Sequence, residues 1–240
     1  MNVATFVLIH GAAGSSWYGH LVEPELRERG HDVVSMDLPT ADDSAGLAEY
    51  VDTVIDAIGD RTDLVVVAQS FAGFTGPLVC ERVPVDLLVM LNAMVPSPGE
   101  RPADWWGNTG FEEAMRAAAE RGGYSTDGPM DLYFHDVPPD VTAEALAAGE
   151  PAQSGTPLEK PWPLEKWPDV PTRFLLSRGD RFFPADFMHR VVSERLQITP
   201  DEIDGGHLVA LSRPKALAER LDSYVAGSGG LEPGGNGGTA

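Results

Sequence analysis

The chain has 240 residues, 42% of them hydrophobic, a single cysteine and a formal net charge of −20. That length suits one α/β domain, or one domain with an insertion, and the apolar share excludes a chain disordered throughout. The carboxylate excess argues against nucleic acid and anionic membranes as partners, and a lone cysteine excludes an intrachain disulfide or a cysteine-based zinc site.

Residues 4–9, ATFVLI, form an apolar run of β character. The run is too short for a signal peptide or a membrane span, and no basic segment precedes it. With the single cysteine, this predicts a reducing, cytoplasmic setting. The small-residue loop Gly11-Ala12-Ala13-Gly14 follows. A helix is expected from Tyr18 to Arg29, stopped by Gly30, and a strand from Asp32 to Met36, broken at Asp37-Leu38-Pro39. Between Gly46 and Ile58 the apolar residues Leu47, Tyr50, Val51, Val54, Ile55 and Ile58 fall at helical spacing. Leu64 to Ala68 is continuously apolar, as in a parallel strand covered on both faces. A helix is expected from Phe71 to Val79 and a buried strand from Asp86 to Leu91; Cys80, at the end of that helix, reads as a small core residue.

This alternation predicts a doubly wound, mostly parallel α/β sheet. It breaks at residue 93. Residues 93–168 are rich in Pro, Gly and Trp, with short helical pieces at Phe111–Arg121 and Thr142–Ala148, and read as a helical cap insertion. The rhythm resumes with a strand at Arg173–Ser177, a helix at Ala185–Leu196, a short strand before Gly205-Gly206-His207, and a helix at Pro214–Val225. The core is therefore expected over 1–92 and 169–226, with 227–240, GSGGLEPGGNGGTA, as a flexible tail.

Chemistry concentrates at the ends of the predicted strands. Ser70, in VVVAQSFAG at 65–73, lies between the most apolar strand and the next helix, at the sheet edge where ligands bind. Small neighbours, Ala68, Ala72 and Gly73, would permit a tight and strained turn there. A serine hydroxyl needs a base, and the base needs an orienting carboxylate. His207 and Asp180 each follow a predicted strand and are the candidates.

With these pieces in order, the chain resembles the α/β-hydrolases, in particular the small esterase and hydroxynitrile-lyase branch. The similarity is carried by FVLIHGAAGSSW at 6–17, VVVAQSFAG at 65–73, SRGDRFFP at 177–184 and GGHLVALSRP at 205–214, in the chain order Ser, Asp, His. The resemblance implies Ser70 as nucleophile, His207 as general base and Asp180 as its orienting acid. It implies an oxyanion hole from the backbone N–H groups of Phe71 and Ala12, with Ala13 as the other choice for the second donor. The family's elbow is usually G-x-S-x-G; here Ala68 and Ala72 replace both glycines. Hydroxynitrile lyases carry Lys after the catalytic His and Thr after the first His, where this chain has Leu208 and Gly11, so the esterase is favoured.

Plainer readings stand beside these. Ser70 could cap a helix, Asp186 and Asp204 are rival acids, and Asn92 ends its strand without a carboxylate. His10 is expected to hold the oxyanion loop rather than move protons. The adjacent His135-Asp136 pair looks like a dyad on paper but suits the cap surface or a pocket wall. Trp105 and Trp106 would either line the substrate pocket, with Leu208, or pack the cap onto the sheet. The six histidines show no metal-binding spacing, and the glycine loop lacks the third spaced glycine of a dinucleotide fingerprint. The expectation is a cofactor-independent serine hydrolase of carboxylic esters, lactones or thioesters, acting on a small apolar substrate. The alternatives are non-hydrolytic or carbon–carbon-cleaving chemistry at the same site, or a ligand-binding member without turnover.

Overall fold

In the computed structural model, which describes residues 3–149 and 151–228, six strands form one sheet in the order β2-β1-β3-β4-β5-β6, and every pairing is parallel. In chain order the core elements are β1 (Thr5–Ile9), α1 (Val22–Glu28), β2 (Asp32–Ser35), α2 (Leu47–Ile58), β3 (Leu64–Gln69), α3 (Gly76–Cys80) and β4 (Leu87–Leu91). An insertion follows with α4 (Trp105–Thr109), α5 (Phe111–Gly122), α6 (Pro129–Leu132) and α7 (Pro139–Ala148). The core resumes with β5 (Thr172–Ser177), α8 (Ala185–Leu196), β6 (Asp201–Ile203), α9 (Val209–Ser212) and α10 (Pro214–Ser228).

The central strands β1, β3 and β4 are largely apolar because both faces of the sheet are covered. Val7, Ile9, Val66 and Ala68 pack with α2, α3 and α8 on one face; Phe6, Val65 and Val67 pack with α1, α9 and α10 on the other. Each fully buried aliphatic side chain contributes about 1.5–3 kcal/mol. α2 buries Tyr50, Val51, Val54 and Ile58, the stripe its spacing predicts.

Two predicted helices are interrupted, each at a proline. The expected helix at 18–29 is a 3-10 turn, Ser16–Gly19, followed by the shorter α1. Pro24 has no N–H for an interior bond and sits in the first turn of α1, where none is needed. The expected helix at 71–79 is a 3-10 turn, Ser70–Phe74, and then α3, which starts one residue before Pro77 for the same reason. The last helix overruns its expected end: α10 continues to Ser228, so residues 227 and 228 are helical rather than tail, and 229–240 lie outside the described residues.

The insertion is fastened to the core by aromatic side chains and a buried ion pair. Trp105 Nε1 donates to the Val95 carbonyl at 2.9 Å, and Trp162 Nε1 to the Phe74 carbonyl at 3.1 Å. Trp105, Trp106, Phe111, Phe182, Phe183 and Phe187 form one cluster of mostly edge-to-face and tilted rings that joins α4 and α5 to α8. Glu100, at the entry of the insertion, holds Arg195 of α8 in a two-pronged buried pair.

Candidate active site

Because the sheet is wholly parallel, the ends of β3, β5 and β6 open on the same edge. Ser70 is the residue after β3, Asp180 lies three residues past β5, and His207 four residues past β6. Ser70 has φ +54°, a strained conformation for a residue with a side chain. The turn is held by a hydrogen bond from Met94 N–H to the Ser70 carbonyl, at 2.9 Å. Neither alanine beside the serine supplies the close approach. It occurs at Gly73, where a Cβ would stand 1.9 Å from the Met94 carbonyl oxygen.

His207 Nδ1 lies 2.7 Å from Asp180 Oδ2, and Nε2 lies 3.1 Å from Ser70 Oγ. Asp180 Oδ1 accepts the N–H groups of Phe182 and Phe183 at 2.8 and 2.9 Å, so this buried carboxylate is fully engaged. An acceptor-only partner at Nδ1 assigns the proton to that nitrogen and leaves the Nε2 lone pair facing the serine hydroxyl. Tyr133, Phe182 and Phe183 pack around the imidazole with ring centroids 5.5, 5.2 and 5.3 Å away. The rivals are elsewhere: Asp204 pairs with Arg178 at 2.6 Å, and Asp186 is exposed beside Arg121.

Ala12 and Phe71 both line the cavity above Ser70, and no described residue engages either N–H. Ala13 is spoken for: its N–H donates to Gln153 Oε1 at 3.0 Å. His10 holds the loop as expected. Its Nδ1 donates to the Gly11 carbonyl at 2.8 Å and its Nε2 accepts Leu38 N–H at 3.0 Å. Burial pushes its pKa down and favours the neutral ring that this pattern requires.

Three polar side chains at the site are not among the expected ones. Gln69 Oε1 accepts Gly11 N–H at 3.0 Å, which turns its amide nitrogen toward His207 Nε2 at 3.3 Å. Adjacency to Ser70 was the available signal. Asn92, which ends its strand without a carboxylate, accepts Ser177 N–H at 2.7 Å and donates toward Ser177 Oγ and the carbonyls of Gly206 and His207. It ties β4, β5 and the histidine loop together. Gln153 has no local signal at all; it reaches the oxyanion loop from the far end of the insertion.

The cavity at this edge has a volume of about 390 Å³ and is walled by Phe71, Met94, Trp106, Tyr133, Phe182 and Leu208, among others. No described residue lining it carries a formal charge, although the chain is strongly acidic. Trp106 and Leu208 line it. Trp105 does not: it is fully buried behind Trp106, held by its indole bond to Val95, and packs the insertion onto α8. Among the described residues, no group of three or more His, Cys, Asp or Glu side chains is placed to hold a metal, and no helix is long and apolar enough to cross a membrane.

The model of the alpha/beta hydrolase family matches residues 6–220. Norfluorocurarine synthase 1 of Strychnos sp is 23% identical over 92% of this chain and 94% of its own length. Methyl jasmonate esterase 1 of Vitis vinifera is 24% identical over 92% of this chain and 96% of its own. A crystal structure of a polyneuridine aldehyde esterase variant superposes with a TM-score of 0.75 at 20% identity, covering 93% of this chain and 99% of that one.

Proposed function

The chain belongs to the alpha/beta hydrolase family, and on that premise we propose that it is a cofactor-independent serine hydrolase that cleaves carboxylic esters through an acyl-enzyme on Ser70. The observation that carries this reading is the relay Asp180–His207–Ser70, at 2.7 and 3.1 Å, opening on a cavity beside two disengaged N–H groups. Ser70 Oγ attacks the ester carbonyl carbon as its proton passes to His207 Nε2. The carbonyl oxygen becomes an oxyanion, and the N–H groups of Ala12 and Phe71 receive it; such donors are each worth about 2.7–4 kcal/mol of barrier. Asp180 keeps the imidazole in register and stabilises the imidazolium. His207 then protonates the departing alkoxide, and it deprotonates the water that releases the acid.

The cap is taken as residues 93–168, which supply Trp106, Tyr133, Phe134 and Leu158 to the cavity wall. A wall of aromatic and aliphatic groups without charge selects a neutral, apolar ester over an anionic or cationic one. The cytoplasmic setting belongs to this proposal and rests on the lone cysteine.

The test is a fluorophosphonate probe followed by peptide mapping. Label on Ser70, absent in Ser70→Ala and much reduced in His207→Ala, is expected. Folded protein left unlabelled would overturn the hydrolase reading in favour of ligand binding. A second reading, non-hydrolytic chemistry on the same residues, is favoured by one finding: relatives matching over the same span are named both esterase and synthase. Turnover in ¹⁸O-water separates the two, since only hydrolysis puts the label into the carboxylate product.

A further inference from the structure

The pair His135-Asp136, in the turn between α6 and α7, takes no part in the reaction just proposed, yet Asp136 touches the loop that carries its base. Asp136 Oδ2 accepts the N–H of Gly206 at 2.8 Å. Gly206 immediately precedes His207. On its other side, the carbonyls of Gly206 and His207 face Asn92 Nδ2 at 3.4 and 3.3 Å. Gly206, the residue leading into the histidine, is thus held by the insertion at its N–H and by Asn92 of the sheet edge at its carbonyl. A hydrogen bond to a carboxylate is roughly twice as strong as a neutral one.

The contact is too close to be incidental. A Cβ at Gly206 would stand 2.5 Å from Asp136 Oδ1 and 2.7 Å from His135 Cε1, so this glycine is what lets the insertion reach the backbone. Among the described residues, the buried atoms Asp136 Oδ1 and His135 Nδ1 meet no hydrogen-bond partner, a cost accepted at this close approach. The same segment meets the other triad loop. Arg181, next to Asp180, donates to the Asp131 carbonyl at 3.2 Å and lies over the Tyr124 ring at 4.7 Å. Tyr133 packs on the imidazole itself.

We propose that Asp136 is a positioning residue for His207, presented by the insertion and acting through Gly206 N–H, so that docking of the insertion and alignment of the base are one event. This rests on the triad reading given above. It assigns the insertion a role in assembling the machinery as well as in walling the cavity.

The experiment compares Asp136→Ala, Asp136→Asn and Gly206→Ala with the wild type. The readouts are p-nitrophenyl acetate hydrolysis, the fluorophosphonate labelling rate of Ser70, and thermal unfolding. Asparagine keeps an acceptor for Gly206 N–H without the charge; alanine does not. The expected result is a fall in kcat of about 10²-fold in Asp136→Ala, the cost of a displacement near 1 Å. KM should change little, and Asp136→Asn should restore most of the rate. Gly206→Ala breaks the same contact from the other side and should fall with Asp136→Ala, which keeps the test open if one variant does not fold. Wild-type kcat in Asp136→Ala, or in Gly206→Ala where Asp136→Ala does not fold, would overturn the proposal, as would an asparagine variant as slow as Asp136→Ala. A wild type that takes no label overturns the triad reading and this proposal with it. A labelled wild type matched in rate by Asp136→Ala overturns this proposal alone.

Discussion

An alanine at Gly73 would place its Cβ 1.9 Å from the Met94 carbonyl oxygen and 2.9 Å from the carbonyl carbon. Real contacts of this kind stay beyond 3.0 Å, so the 3-10 turn and the chain after β4 must separate by about 1 Å. Both are backbone, so no rotamer change relieves the clash. Overpacking of this kind costs about 1–3 kcal/mol. It also pulls on the Met94 N–H bond to the Ser70 carbonyl, the bond that stabilises φ +54° at the serine. A misplacement of about 1 Å at the nucleophile is worth about 10²-fold in rate. Gly73→Ala is therefore expected to lower kcat by about 10²-fold and Tm by roughly 2–12 °C. Ala72→Gly is the control. It restores the family's glycine but removes a buried methyl and loosens the unfolded chain, at a cost of about 1–2 kcal/mol. Its kcat should stay within a few-fold of wild type. Kinetics on p-nitrophenyl esters with calorimetry on the same samples reads both effects. Wild-type kcat in Gly73→Ala would refute the argument that this glycine, rather than the two replaced by alanine, shapes the elbow.

Asn92→Ala leaves the buried Ser177 N–H and two loop carbonyls without their partner; we expect a loss of about 3 kcal/mol, seen as a lower denaturation midpoint, and a lower kcat. Retained stability would refute the role given to Asn92. His10 has its pKa lowered by burial, so its contribution to stability is complete above the ordinary 6.5 and is lost as pH falls from there through the folded value. Wild-type Tm should therefore drop more steeply between pH 7.5 and 5 (about the range in which a histidine titrates) than that of His10→Gln, and parallel curves would refute it. Burial pushes the Cys80 thiol up to about 12, so native protein should resist iodoacetamide at mildly alkaline pH while denatured protein is alkylated. Rapid alkylation of the native protein would refute the role given to burial at this partly buried thiol.

What the sequence determined by itself is whatever depends on local pattern. Continuous apolar runs at 6–9, 64–68 and 87–91 read as strands covered on both faces, and strand–helix alternation makes them parallel. Parallel strands send Ser70, Asp180 and His207 to one edge, so the three residues that meet at 2.7 and 3.1 Å were legible from strand ends and chain order. The prolines at 24 and 77 are local signals too, since proline does not suit a helix interior. Tertiary structure alone decided the rest, because those contacts join residues far apart in the chain. Gln153 reaches Ala13 across 140 positions, Asp136 reaches Gly206 across 70, and Asn92 reaches Ser177 across 85. The division between Trp105 and Trp106 belongs to the same class. Adjacent residues on a helix point in different directions, and only the docking of α4 onto α8 determines which indole is buried and which faces the cavity.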